Sequence, residues 1–148
     1  MNKKLGTFAA IAIAAVTACA GSPANDPTGT PNRNVATLPT TITLAPGGSV
    51  EVERANLVIR FDSVTADSRC PLDVQCVHAG WATAAFTVSQ LSGIETAQLL
   101  SLSTTPGQDT ATSYGKPLRL VTVTPATIST APIAKAAYRI ELLVGAAK

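Results

Sequence analysis

The chain has 148 residues, with 11 lysine and arginine side chains against 9 aspartate and glutamate, a formal net charge of +2. That length suits one ordinary domain with a short extension. No basic cluster accompanies the small excess of positive charge, so the electrostatic footprint that nucleic-acid binding requires is missing and that class of function is excluded.

The first element is apolar. Asn2-Lys3-Lys4 gives a positively charged start, and Leu5 to Ala18 follows without a charge. The stretch is shorter than the roughly 20 residues a permanent transmembrane helix needs, and it has the layout of a removable export signal. It ends in Val16-Thr17-Ala18-Cys19. A small residue directly before cysteine resembles the lipobox of bacterial lipoproteins. That resemblance implies cleavage after residue 18 and transfer of acyl chains, such as palmitate, to the Cys19 thiol. Several acyl chains anchor stably where one binds reversibly. Residues 1–18 are therefore expected to be a signal peptide, and the mature chain to sit in the bacterial cell envelope with the membrane as its first partner. Ala20 takes the place where aspartate would favour inner-membrane retention, which points to the outer membrane if the host is a diderm. Loss of Lys3 and Lys4 leaves 9 basic side chains against 9 acidic ones, a neutral mature protein.

Residues 19–37 carry three prolines, two glycines and small polar side chains. They offer little to bury against the entropy of ordering, and read as a lipidated flexible tether. Residues 38–148 then form the expected domain, and its periodicity is that of strands. Ile42 and Leu44 alternate with threonine. Val50 and Val52 alternate with polar residues after the turn Pro46-Gly47-Gly48. Leu57, Ile59 and Phe61 share one face, with Arg60 and Asp62 on the other; Ala82, Ala84, Phe86 and Val88 repeat the pattern. Residues 97–102, 118–123 and 136–144 complete the set, the last with Tyr138, Ile140 and Leu142 opposite Arg139 and Glu141. Turn chemistry at Pro106-Gly107-Gln108-Asp109 and Tyr114-Gly115-Lys116-Pro117 separates the runs, and Pro125 and Pro132 bracket a threonine-rich connection. No helical stripe competes. The expected fold is all-β, an antiparallel sandwich of about seven to eight strands rather than a closed barrel.

With Cys19 given to lipid, Cys70 and Cys76 remain. In an exported chain a pair this close reads as a disulfide that closes a tight loop. The surrounding run, Asp67-Ser68-Arg69-Cys70-Pro71, four residues, Cys76, two residues, Ala79-Gly80, resembles a pattern found in small exported bacterial proteins and lipoproteins. Across about residues 45 to 90 the flanking strands match as well. The resemblance implies a β domain with a disulfide-closed loop and brings no activity with it. Those proteins usually carry tryptophan where this chain has His78; here Trp81 follows the glycine instead.

The loop invites several functional readings. Cys70, Cys76 and His78 could be metal ligands, but paired thiols are lost as ligands and the spacing is not that of a zinc site. Asp62, Asp67 and Asp73 match no calcium-loop spacing. Arg69-Cys70-Pro71 could be presented to a protease as a rigid inhibitor loop. Catalysis has little to work with: no free thiol, no triad partner for the one histidine, and Glu51 and Glu53 placed as ordinary surface carboxylates. No cofactor is expected. The preferred reading is a non-enzymatic structural or partner- or ligand-binding module, with Asp67, Arg69 and Trp81 as candidate contact residues. The plainer reading is preferred for these three: Asp67 and Arg69 pair or hydrogen-bond loop backbone groups, while Trp81 packs over Cys70–Cys76.

Overall fold

Alternation of buried and exposed side chains organises the molecule into two stacked sheets. A computed structural model describes residues 32–34, 37–129 and 131–145. The signal segment 1–18, Cys19 and most of the segment read as a tether lie outside the described residues. The strands are β1 (Asn32–Asn34), β2 (Thr40–Leu44), β3 (Ser49–Val52), β4 (Leu57–Asp67), β5 (Ala82–Gln90), β6 (Gln98–Ser103), β7 (Thr110–Ser113), β8 (Lys116–Thr124) and β9 (Arg139–Val144).

Eight of them form two antiparallel four-stranded sheets. β3-β4-β5-β6 is a meander; in the other sheet β2-β9-β8-β7 brings the first of these strands beside the last. The short β1 adds to the first sheet by running parallel to β3, Asn32 opposite Val50 and Asn34 opposite Val52. Three residues of the stretch expected to be a bare tether are thus paired with the domain.

The chain changes sheets at Ala45–Gly48, where Gly47 takes φ +78 and donates its N–H to the Phe61 carbonyl. The β7–β8 hairpin turns on Tyr114 and Gly115, both with positive φ, a two-residue connection. Lys116 and Pro117, expected inside that break, already belong to β8, opposite Ser113 and Thr112.

The core is the set of inward faces. Ile42, Val52, Leu57, Ile59, Phe61, Ala84, Phe86, Val88, Leu102, Leu118, Ile140, Leu142 and Val144 are buried, and the rings of Phe61 and Phe86 pack 5.7 Å apart at its centre. Each burial contributes roughly 1.5–3 kcal/mol for a large aliphatic or aromatic side chain. Two register shifts bend β4, between Phe61 and Ser63 and between Val64 and Ala66. Past the second, Asp67 stands opposite Ala82 at the mouth of the cysteine loop.

Candidate functional site

The cysteine loop grows out of the β4–β5 ladder. Beyond the Asp67–Ala82 pair, the Ser68 N–H donates to the Trp81 carbonyl at 2.8 Å and the Cys70 N–H to the Ala79 carbonyl at 2.7 Å. The two arms stay paired until the Cys70–Cys76 disulfide closes the end, with Cα atoms 5.9 Å apart. Between the arms sits Gly80, at φ +65, where a Cβ would lie 1.8 Å from the Ser68 carbonyl oxygen. Glycine is the residue that allows this approach.

Asp67 and Arg69, both singled out in the sequence, meet. The guanidinium donates through Nε to Asp67 Oδ1 at 2.8 Å and through Nη2 to Oδ2 at 2.6 Å, a bidentate pair. The side chains are largely shielded, at 17% and 8% exposure. Arg69 also donates to the carbonyls of Val123 and Pro125, and the Arg69 N–H bonds Asp67 Oδ1. From the opposite sheet, the Tyr138 hydroxyl donates to Asp67 Oδ2 at 3.0 Å. Burial pushes the Asp67 carboxyl upward, but the hydrogen bonds from Arg69 and Tyr138 outweigh it and hold the carboxyl below its usual range. Its bond to Asp67 raises Arg69, and desolvation together with that carboxylate raises Tyr138.

The outer side of the loop is stapled to the threonine-rich connection. The Leu72 N–H donates to the Thr127 carbonyl at 2.9 Å, and Thr127 Oγ1 donates to the Arg69 carbonyl at 3.2 Å. Asp73 accepts from the Ser129 N–H at 2.8 Å and from the Ser129 hydroxyl. These Ser129 bonds lower the Asp73 carboxyl. Sequence reasoning missed Thr127, Ser129 and the phenol of Tyr138 as members of this network. A buried tyrosine does signal that its hydroxyl has a partner, but Asp67 is 71 positions away.

Several apolar side chains of the loop face solvent, alongside the polar Asp73, Gln75 and His78. Val77 is 93% exposed, Leu72 is 77% exposed and Trp81 is 50% exposed, with Val74 and Ile128 also open. Trp81 has its backbone bonded to Ser68 on both its N–H and its carbonyl. Leu72, Val74 and Val77 were not singled out in the sequence. Their signal was their presence, uncharged and unpatterned, in a loop of turn residues.

The other candidates fall apart in space. Asp62 pairs with Arg60 and accepts from Thr87, Asp67 holds Arg69, and Asp73 holds Ser129, so the three aspartates serve three separate structures. Cys70 and Cys76 are spent in the disulfide, leaving His78 exposed. Among the described residues no group of three or more histidine, cysteine, aspartate or glutamate side chains converges on a metal-sized site. Glu51 lies on β3 and Glu53 begins a 3-10 turn over Glu53–Ala55. Comparison of the chain with protein-family models, with curated proteins and with solved structures returns no match.

Proposed function

We propose that this chain is a lipid-anchored, non-enzymatic protein of the cell envelope that binds a protein partner through the apolar crest of its disulfide loop. One observation carries the reading: Leu72, Val74 and Val77 stand in solvent on a backbone clamped by the disulfide, by the Asp67–Arg69 pair and by Thr127 and Ser129. A loop free to fold its aliphatic side chains inward would do so. Here the bracing keeps them out, and ordering the loop in advance lowers the entropy lost on binding.

A protein surface suits the crest better than a bilayer. Residues 70–81 contain no lysine or arginine, whereas loops that enter an anionic interface carry basic side chains beside the apolar ones. The inhibitor reading loses its key residue, since the Arg69 guanidinium is bonded to Asp67 and to two backbone carbonyls instead of being presented.

The test uses intact cells carrying the full chain with a photo-crosslinking amino acid at position 77. The expected result is one adduct of defined mass, lost when Leu72→Asp is added and retained when the substitution is Thr43→Asp, on the far sheet. No protein adduct, or adducts to lipid alone, overturns the crest as a protein-binding surface. Attachment is tested separately: Cys19→Ala should abolish labelled fatty-acid incorporation and release the chain from the membrane fraction.

A further inference from the structure

We infer that the β6 edge is a pairing surface for a second copy of this chain, joining two domains through an antiparallel β6–β6 contact. The inference is independent of the loop crest and starts from the backbone. In an antiparallel ladder, N–H and C=O groups of successive residues point alternately toward the partner strand and away from it. The Thr104 N–H donates to Ala82 on the β5 side, while the Ser103 N–H donates to the Gln108 carbonyl on the other side. By that alternation Leu99 and Ser101 turn their N–H and C=O groups away from β5. Among the described residues neither has a backbone partner there.

Natural sheets usually blunt such an edge with lysine, proline, a bulge or a covering segment. Elsewhere in the same sheet this chain does so, since β1 lies along β3. At β6 the following turn covers only Ser103, through its bond to Gln108, and among the described residues Leu99 and Ser101 are left without any of these devices. Residues 96–108 hold no charge, the strand Gln98–Ser103 holds no proline, and its ladder with β5 runs without a register shift. The outward side chain in the middle of the exposed stretch is Leu99, 81% exposed, and the preceding loop leaves Ile94 fully open.

A second copy is the occupant this edge matches. A two-fold axis through Leu100 places Leu99 of one copy opposite Ser101 of the other, and the reverse. All the outward groups of both residues then bond in both copies. The same axis opposes no two like charges, because none lies along the edge. It also brings the two Leu99 side chains onto one face as diagonal neighbours, within reach of each other. The contact is short, so it buries less than the roughly 1,200 Å² typical of stable complexes and gives a weak, concentration-dependent dimer.

The experiment follows the full chain purified in detergent and analysed by sedimentation up to the millimolar range. Wild type should shift from monomer to dimer as concentration rises. Leu99→Lys and Ser101→Pro should each weaken the dimer by tenfold or more with the thermal midpoint of the monomer kept; proline is tolerated at Ser101 because the lost N–H points away from β5. Register is read by oxidising a mixture of differently tagged Leu99→Cys and Ser101→Cys chains, which should give the mixed cross-link in excess over either self-cross-link. A wild type that stays monomeric throughout, a dimer indifferent to both edge substitutions, or an edge that takes up only foreign extended peptides each overturns the inference.

Discussion

At the scale of single residues, the loop depends on a side chain that is not there. Gly80 sits at φ +65 with the Ser68 carbonyl oxygen 1.8 Å from where a Cβ would be. The obstacle is backbone, held in place by the Ser68–Trp81 and Cys70–Ala79 hydrogen bonds, so it cannot swing aside as a flexible side chain would. Gly80→Ala must therefore break one of those bonds or distort the ladder. We expect a loss of about 3 kcal/mol, the sum of a strained left-handed backbone and a displaced hydrogen bond, read as a lower denaturant midpoint at unchanged slope. Gly107→Ala provides the comparison: its φ is also positive, at +83, but nothing lies within 4 Å of its Cβ position. A Gly80→Ala protein no less stable than Gly107→Ala would show that the close approach is not a constraint.

At the scale of elements, the disulfide and the polar staples act on the same loop from its two sides. Replacing both cysteines with serine removes a link between residues 6 positions apart, worth about 2 kcal/mol in the chain-entropy account. The Asp67–Arg69–Tyr138 cluster and the Thr127 and Ser129 bonds remain, so the double variant should fold with a lowered thermal midpoint and lose protection from proteolysis between residues 71 and 77. Unchanged proteolysis there would mean that the polar staples alone order the crest. This division also explains how far the elements were legible in the sequence. Strands with a clean two-residue period and a buried face, such as Leu57-Ile59-Phe61 and the run through Ile140 and Leu142, declared themselves, and so did the cysteine pair. β7 did not, because Thr110–Ser113 is short and polar and owes its place to pairing with β8. The 136–144 run was read too long: Lys135–Ala137 forms a 3-10 turn, and the strand begins at Arg139. Asp67 and Arg69 were legible as important residues, but their engagement with Val123, Pro125 and Tyr138 was not. Contacts across more than 50 positions are set by how the two sheets stack, and no local pattern encodes them.

At the scale of the whole molecule, one hydrogen-bonded cluster ties the sheets together at the loop end, and it titrates at both extremes of pH. Asp67 ends β4 in one sheet, Tyr138 precedes β9 in the other, and Arg69 reaches the end of β8. The Asp67 carboxyl is lowered in the fold from an ordinary 3.8. Its contribution is therefore fully present above about 3.8 and is lost as pH falls from there through the lower native value. Tyr138 is raised from an ordinary 10.0. Its contribution is present below about 10.0 and is lost as pH rises through the higher native value, when the phenol can no longer donate. Between the two limits the cluster contributes in full. Asp73 and Asp109 are also lowered, but they are solvent-screened and add little to the acid limb. Unfolding midpoints measured across pH should then fall at both ends for wild type. Asp67→Asn should lower stability by about 2 kcal/mol at neutral pH, as expected for a lost charge-assisted hydrogen bond, and should flatten the acid limb. Tyr138→Phe should flatten the alkaline limb and leave the acid limb largely in place, because Arg69 still holds the carboxylate. An acid limb as steep in Asp67→Asn as in wild type would locate the acid sensitivity outside the junction of the two sheets.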